Sequence, residues 1–171
     1  MIDAYFAQYP GTASFLADCR SRSQDQKWIA GSFGRFRRFI ATRDRSVVGE
    51  QERQAQNFPI QNTVADAVWT ATYNFMQFRR VNPEYHYKLA LQIHDALLFL
   101  VPIPELRMFL DNCLHQCMVE QVPIYPRRLD NVPMTVEQPY FFGIDSDVQI
   151  NWGEDIKEDQ ANALGIPLDL I

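Results

Sequence analysis

Leu89-Ala90-Leu91-Gln92-Ile93-His94-Asp95-Ala96-Leu97-Leu98-Phe99-Leu100-Val101 is an apolar run broken at its centre by a His-Asp pair. Two apolar segments of strand length around a polar dipeptide read as a β-hairpin, with strands at His86 to Ile93 and Ala96 to Val101. Both are apolar on each face, as central strands are. Asn82-Pro83-Glu84 makes the turn that leads into them. A carboxylate at the tip of two buried strands is costly to keep charged unless a cation or a substrate pairs with it. Asp95 is therefore a metal-ligand candidate, although an isolated His-Asp dipeptide is more often an ordinary polar turn.

A second segment changes that balance. Upstream the chain reads Glu52-Arg53-Gln54-Ala55-Gln56-Asn57-Phe58-Pro59-Ile60-Gln61-Asn62-Thr63-Val64-Ala65-Asp66, in which Arg53, Asn57 and Gln61 recur every four residues, as along one helical face. The two segments, in this order and about thirty residues apart, resemble the C-terminal part of family A DNA polymerases, the polymerase I type. There the pattern E-R-x-A-x-N-x-P-I/V-Q-G-T-x-A-D precedes a Q-V/I-H-D-E hairpin. The likeness extends to Gly34-Arg35-Phe36-Arg37-Arg38, and the order of elements fits from about Tyr5 to Glu154.

Composition sets the frame. With 171 residues, 47% hydrophobic and 13% aromatic, the chain can build a real core and is not disordered. It has no run of about eighteen apolar residues, and Met1-Ile2-Asp3-Ala4 lacks the features of a signal peptide, so an intracellular location with no membrane partner is expected. Cys19, Cys113 and Cys117 form no CxxC pair and are read as reduced thiols; Cys113 and Cys117, with His115 between them, suit one helix face better than a zinc site.

The net charge is −5, but residues 20 to 53 hold nine Lys or Arg against four acids, a local +5 that leaves −10 elsewhere, much of it between Asp130 and Asp169. Such separation suits a surface that holds a phosphate backbone on one side only, and a solvated basic loop is the plainer alternative.

Along the chain, Ile2 to Tyr9 and Thr12 to Ser23 predict two helices around Pro10-Gly11, and Lys27 to Gly34 with the following Arg-Phe-Arg-Arg-Phe-Ile predicts a basic β-ribbon. A short helix is expected from Ser46 to Phe58, interrupted by Pro59, and a long one from Ile60 to Arg79. A further helix runs from Pro102 to about Gln121. Strand-like pieces follow at Met134 to Phe142 and Asp147 to Trp152, then an acidic, weakly structured end.

The resemblance implies an α+β fold: an incomplete polymerase palm, with an antiparallel β-hairpin and sheet packed on helices, together with the end of the fingers subdomain. Residues 1–171 then form a single domain, with helices and ribbon in 1–58, the palm and its hairpin in 59–155 and an acidic tail in 156–171.

It also implies a chemistry. Nucleotidyl transfer from a dNTP uses two Mg²⁺ ions held by carboxylates, and Asp95 would supply one ligand. Gln61, Asn57 and Arg53 would track the minor groove of the primer-template and its nearby backbone, and His94 would meet the primer terminus beside Asp95 in the catalytic site. Purine N3 and pyrimidine O2 are acceptors at similar places in every Watson-Crick pair, so donors aimed there test pair geometry without reading sequence. Arg35, Arg37 and Arg38 would bind template phosphates. The plainer alternatives are a helix cap for Asn57 and Gln61 and a solvated hairpin tip for the arginines.

Two residues depart from the family pattern: Ala96 stands where a Glu usually follows His-Asp, and Asn62 where a Gly usually follows the motif Gln. The sequence also contains no D-Y/F-S-x-I/L-E segment, the family's motif A, and Lys27 to Gly34 fits the ribbon better than the nucleotide-binding fingers helix. One expectation is thus a subunit of a split polymerase, its Mg²⁺ site completed by a second polypeptide carrying motif A and the fingers helix, in the cytoplasm of a bacterium infected by a virus that divides the enzyme. The other is a non-catalytic DNA-binding or assembly module derived from a polymerase.

Overall fold

The computed structural model describes residues 2–125, 127–135, 138–151 and 154–170. Helix and sheet are mixed in two compact units, Met1–Asp66 with Ile124–Tyr140 and Ala67–Pro123 with Phe141–Ile171.

In the first unit α1 (Ile2–Gln8) and α2 (Pro10–Asp25) follow each other directly. Pro10 opens α2, a position where a missing N–H costs nothing because the first turn offers it no acceptor. Strands β1 (Trp28–Ala30) and β2 (Phe36–Arg38) pair antiparallel with Ile29 opposite Arg37, and form the expected ribbon. Its turn requires glycine twice: Gly34 has φ +85°, and a Cβ on Gly31 would strike the carboxamide of Asn62. Beneath the ribbon, Cys19, Ile29, Phe39, Ala55 and Leu129 form a buried cluster against which Phe15 and Phe58 pack.

The helix break expected at Pro59 is absent. One helix, α3 (Arg45–Val81), runs for 37 residues with Pro59 inside it, a length of roughly 55 Å at 1.5 Å per residue. An internal proline removes one backbone bond and presses its ring on the carbonyl four residues back. That carbonyl belongs to Ala55, a small and fully buried residue, and Thr63 Oγ1 donates to the Pro59 carbonyl at 2.6 Å. Packing along the helix outweighs the local penalty of about 3 kcal/mol.

In the second unit β3 (Lys88–Ile93) and β4 (Ala96–Leu100) form an antiparallel hairpin with Ile93 opposite Ala96 and a register shift between Leu89 and Leu91. Phe75 of α3, Tyr87, Phe99 and Phe109 stack beside it, with ring centroids 4.5 Å apart for Phe75 and Phe99 and 5.0 Å for Tyr87 and Phe109. The strands are not buried on both faces as their composition suggests: Leu91, Ile93 and Leu100 are 51%, 42% and 59% exposed. Among the described residues the sheet has two strands, so little beyond the face carrying Phe99 is covered.

The helix expected from Pro102 is shorter in its α-helical part. A 3₁₀ turn (Ile103–Glu105) leads into α4 (Leu106–Met108), which widens into π-helical runs at Phe109–Leu114 and Gln116–Glu120. Asn74 Nδ2 of α3 donates to the carbonyls of Cys117 and Gln121, both at 3.1 Å, which serves the polar groups at the widened end.

The tail also differs from its reading. Between Met134 and Phe142 the described residues contribute a single bridge, Tyr140 with Ile124, not a strand, and Arg127 bridges Pro133 just before it; Val136 and Glu137 lie outside the described residues, as does Trp152 at the end of the second expected strand. Strand β5 (Gln149–Asn151) pairs with β6 (Glu154–Asp155). The acidic end is ordered: α5 (Glu158–Leu164) buries Ala161 in a cluster with Leu106 and Ile166, and Arg107 Nη2 meets the Asp169 carboxylate at 2.6 and 2.8 Å. Ile156 and Leu170 also pack against this cluster, whereas Leu164 and Leu168 are exposed. Among the described residues no helix is long and apolar enough to cross a membrane.

Candidate nucleic-acid interface

Because α3 is unbroken through Pro59, Arg53, Asn57 and Gln61 do share one helical face, spread over roughly 12 Å. Arg35, Arg37, Gln54, Asn57, Phe58, Gln61, Asn62 and Ala65 line a shallow groove of roughly 400 Å³ between the ribbon and the helix. Four of the residues singled out from sequence, Arg35, Arg37, Asn57 and Gln61, are therefore brought together. Arg53 is exposed on the same face but outside the groove wall, with its guanidinium over Gly49. Arg38 lies 5.4 Å above the Phe36 ring, also outside it.

The groove's cations are held in place. Arg35 Nη2 lies 2.7 Å from Asp66 Oδ1, and Arg37 Nη2 donates to Gln54 Oε1 at 2.8 Å while Gln54 Nε2 donates to Glu50 Oε1 at 2.9 Å. An arginine carries five N–H donors, so one such bond orients the guanidinium and leaves others for a ligand. Gln54 and Asp66 had no role in the sequence reading. No sequence signal marked them, because the arginines that they hold are remote along the chain. Asn62 is buried against Gly31, and its Oδ1 has no hydrogen-bond partner in the structure.

His94 and Asp95 belong to the second unit, at the tip of the β3–β4 hairpin, and both are exposed. His94 has φ +54° and accepts from Gln92 Nε2 at its carbonyl, 3.3 Å away. A positive φ at the first central residue is what a type II′ turn demands and is strained for any residue but glycine. Pairing of Ile93 with Ala96 leaves His94 and Asp95 as the two turn residues at the tip of the hairpin.

Asp95 alone fits a hard cation as one oxygen ligand. Among the described residues no group of three or more His, Cys, Asp or Glu could hold a metal ion, and Ala96 stands where the family pattern has a carboxylate. The cysteines stand elsewhere: all three are buried, burial pushes the Cys19 thiol up to about 11, and His115 is exposed and 3.4 Å from Glu120.

The family model for DNA polymerase family A matches residues 1–140, and the chain belongs to that family. It is 32% identical over 107 residues to DNA polymerase I of Lactococcus lactis subsp. lactis (strain IL1403), a match covering 61% of this chain and 12% of that enzyme. To DNA polymerase I of Pseudomonas aeruginosa it is 28% identical over 158 residues, 90% of this chain and 15% of that enzyme. The fold is similar to the POL domain of Pol1 from M. smegmatis in complex with DNA primer-template and dNTP, with a TM-score of 0.65 and 26% identity over 78% of this chain and 23% of that one. The chain thus spans only 12 to 15% of the length of these curated relatives.

Proposed function

We propose that this chain supplies the C-terminal part of a template-directed DNA polymerase that transfers nucleotides from dNTPs to a primer. The observation that carries the reading is the convergence of Arg35, Arg37, Asn57 and Gln61 on one groove. In this account the arginines hold template phosphates, with Arg38 at the ribbon's edge, and fix the register of the duplex. Asn57 and Gln61, with Arg53 beyond them, direct donors at minor-groove acceptors that every correct pair presents. Residues 1–58 contribute the ribbon and 59–155 the palm.

His94 meets the primer terminus and Asp95 is one ligand of a two-Mg²⁺ site. Bound Mg²⁺ lowers the pKa of the primer hydroxyl and neutralises charge on the triphosphate. The remaining carboxylates and the triphosphate-binding helix come from polypeptide outside these 171 residues, which we assign to a second chain carrying motif A. The exposed apolar residues of the hairpin, Leu91, Ile93 and Leu100, support a covering partner there. Ala96 favours a second reading, a DNA-binding or assembly module that keeps the grip on duplex and not the metal chemistry.

The grip is tested by binding to primer-template in which the purines at the primer end are replaced by 3-deazapurines, which lack the minor-groove acceptor. The parent chain should bind the modified duplex several-fold more weakly, and Gln61→Ala should discriminate less between the two duplexes. Equal binding of both duplexes by the parent chain contradicts the minor-groove role.

A further inference from the structure

We infer that Asp66 is a positioning residue for the groove: its buried carboxylate holds the Arg35 guanidinium where the arginine can meet a DNA phosphate. The inference rests on the DNA reading above and adds a residue to it. Arg35 lies on the β1–β2 turn and its side chain is 61% exposed, whereas that of Asp66 is 9% exposed; they meet at 2.7 Å. An exposed arginine loses much side-chain entropy when a ligand fixes it. Here that ordering is done beforehand by an anion fixed on a helix.

The surroundings support the same role. Ser32 N–H donates to Thr63 Oγ1 at a long 3.4 Å, and the Asn62 carboxamide abuts Gly31, so the turn is seated on α3 by shape and by one weak hydrogen bond. The Arg35–Asp66 pair is the strong tie between turn and helix. Gln54 does the same for Arg37 at the other end of the groove with a neutral carbonyl. A guanidinium held at one nitrogen keeps its other donors for a phosphate oxygen, and a partly desolvated pair of this kind is stiffer than two exposed side chains.

Positioning and simple electrostatics predict opposite signs. Removing a negative charge beside an anion-binding groove should tighten DNA binding if Asp66 acts only through its charge. If it positions Arg35, removal should weaken binding and abolish one phosphate contact, which lowers the slope of log K against log salt by about 0.9.

The experiment is a titration of fluorescein-labelled primer-template with the full chain over a salt series, for the parent, Asp66→Asn, Arg35→Ala and the double variant. Expected are a loss of about five- to ten-fold for Asp66→Asn with the reduced slope, and no further loss when Asp66→Asn is added to Arg35→Ala. The double variant leaves neither charge uncompensated, so it reports even if Asp66→Asn alone folds poorly. Tighter binding by Asp66→Asn, or an equal loss in the Arg35→Ala background, overturns the positioning role while leaving the DNA reading intact. Binding unmoved by both Arg35→Ala and Arg37→Ala overturns the DNA reading, and the inference with it.

Discussion

The side-chain amide of Asn62 occupies the space that a methyl group on Gly31 would need. The turn of the arginine ribbon can lie this close to α3 only because residue 31 has no side chain. Asn62 is also where the family pattern has glycine.

The first prediction follows from this contact. Gly31→Ala should destabilise the fold by about 1–3 kcal/mol, the usual cost of overpacking, and Asn62→Ala in the same chain should restore most of it. Asn62→Ala alone should be near neutral, since it also removes a buried oxygen with no partner. Urea denaturation of the three variants reads this directly; a Gly31→Ala chain as stable as its parent would sink the argument.

A second prediction concerns the aromatic cluster. Tyr87 Oη donates to the Phe75 carbonyl at 2.6 Å in a buried setting, and burial pushes the phenol's pKa up. Tyr87→Phe keeps the ring and should cost about 1 kcal/mol, while Phe75→Ala removes a ring with 1% exposure and should cost about 3–5 kcal/mol. The order of the two, measured by denaturant midpoint, matters more than either value.

pH provides a third. The His86 N–H donates to Glu105 Oε2 at 2.8 Å and the His86 ring nitrogen Nδ1 lies 2.6 Å from Oε1. The backbone bond first, and then the ring bond, hold the Glu105 pKa below the ordinary carboxylate value. A depressed folded-state pKa contributes stability that is full above the unfolded value and is lost as pH falls through the folded one. Thermal melting should therefore fall more steeply below the ordinary carboxylate range in the parent than in Glu105→Gln. Parallel pH profiles would show that the clamp contributes nothing.

How much of this was legible in the residues depends on which forces decide each element. The ribbon and hairpin are set by local alternation and turn chemistry: β3 and β4 lie within two residues of the bounds expected for them, whereas β1 ends at Ala30, short of the expected Gly34. The unbroken α3 was hidden because proline's cost is local and visible, whereas the compensating packing of Ala55 and Phe58 in the core cluster is contributed by the fold. The exposed faces of Leu91 and Ile93 were misread for a related reason: composition reports that a strand is apolar, not whether another strand lies beside it. Of the site, the 53-57-61 row could be read from spacing alone. Asp66 and Gln54 could not be assigned, since what they hold lies about thirty and seventeen residues away in sequence.

The central claim is that Asp95 serves nucleotidyl transfer in an assembly with a second chain. Its most direct test is primer extension by the complex captured from the native source on this chain, with the parent compared with Asp95→Asn and Mg²⁺ present. The account predicts extension by the parent complex, loss of extension with Asp95→Asn and nearly unchanged primer-template affinity. Equal extension by the two complexes, or capture of no chain bearing motif A, would contradict it.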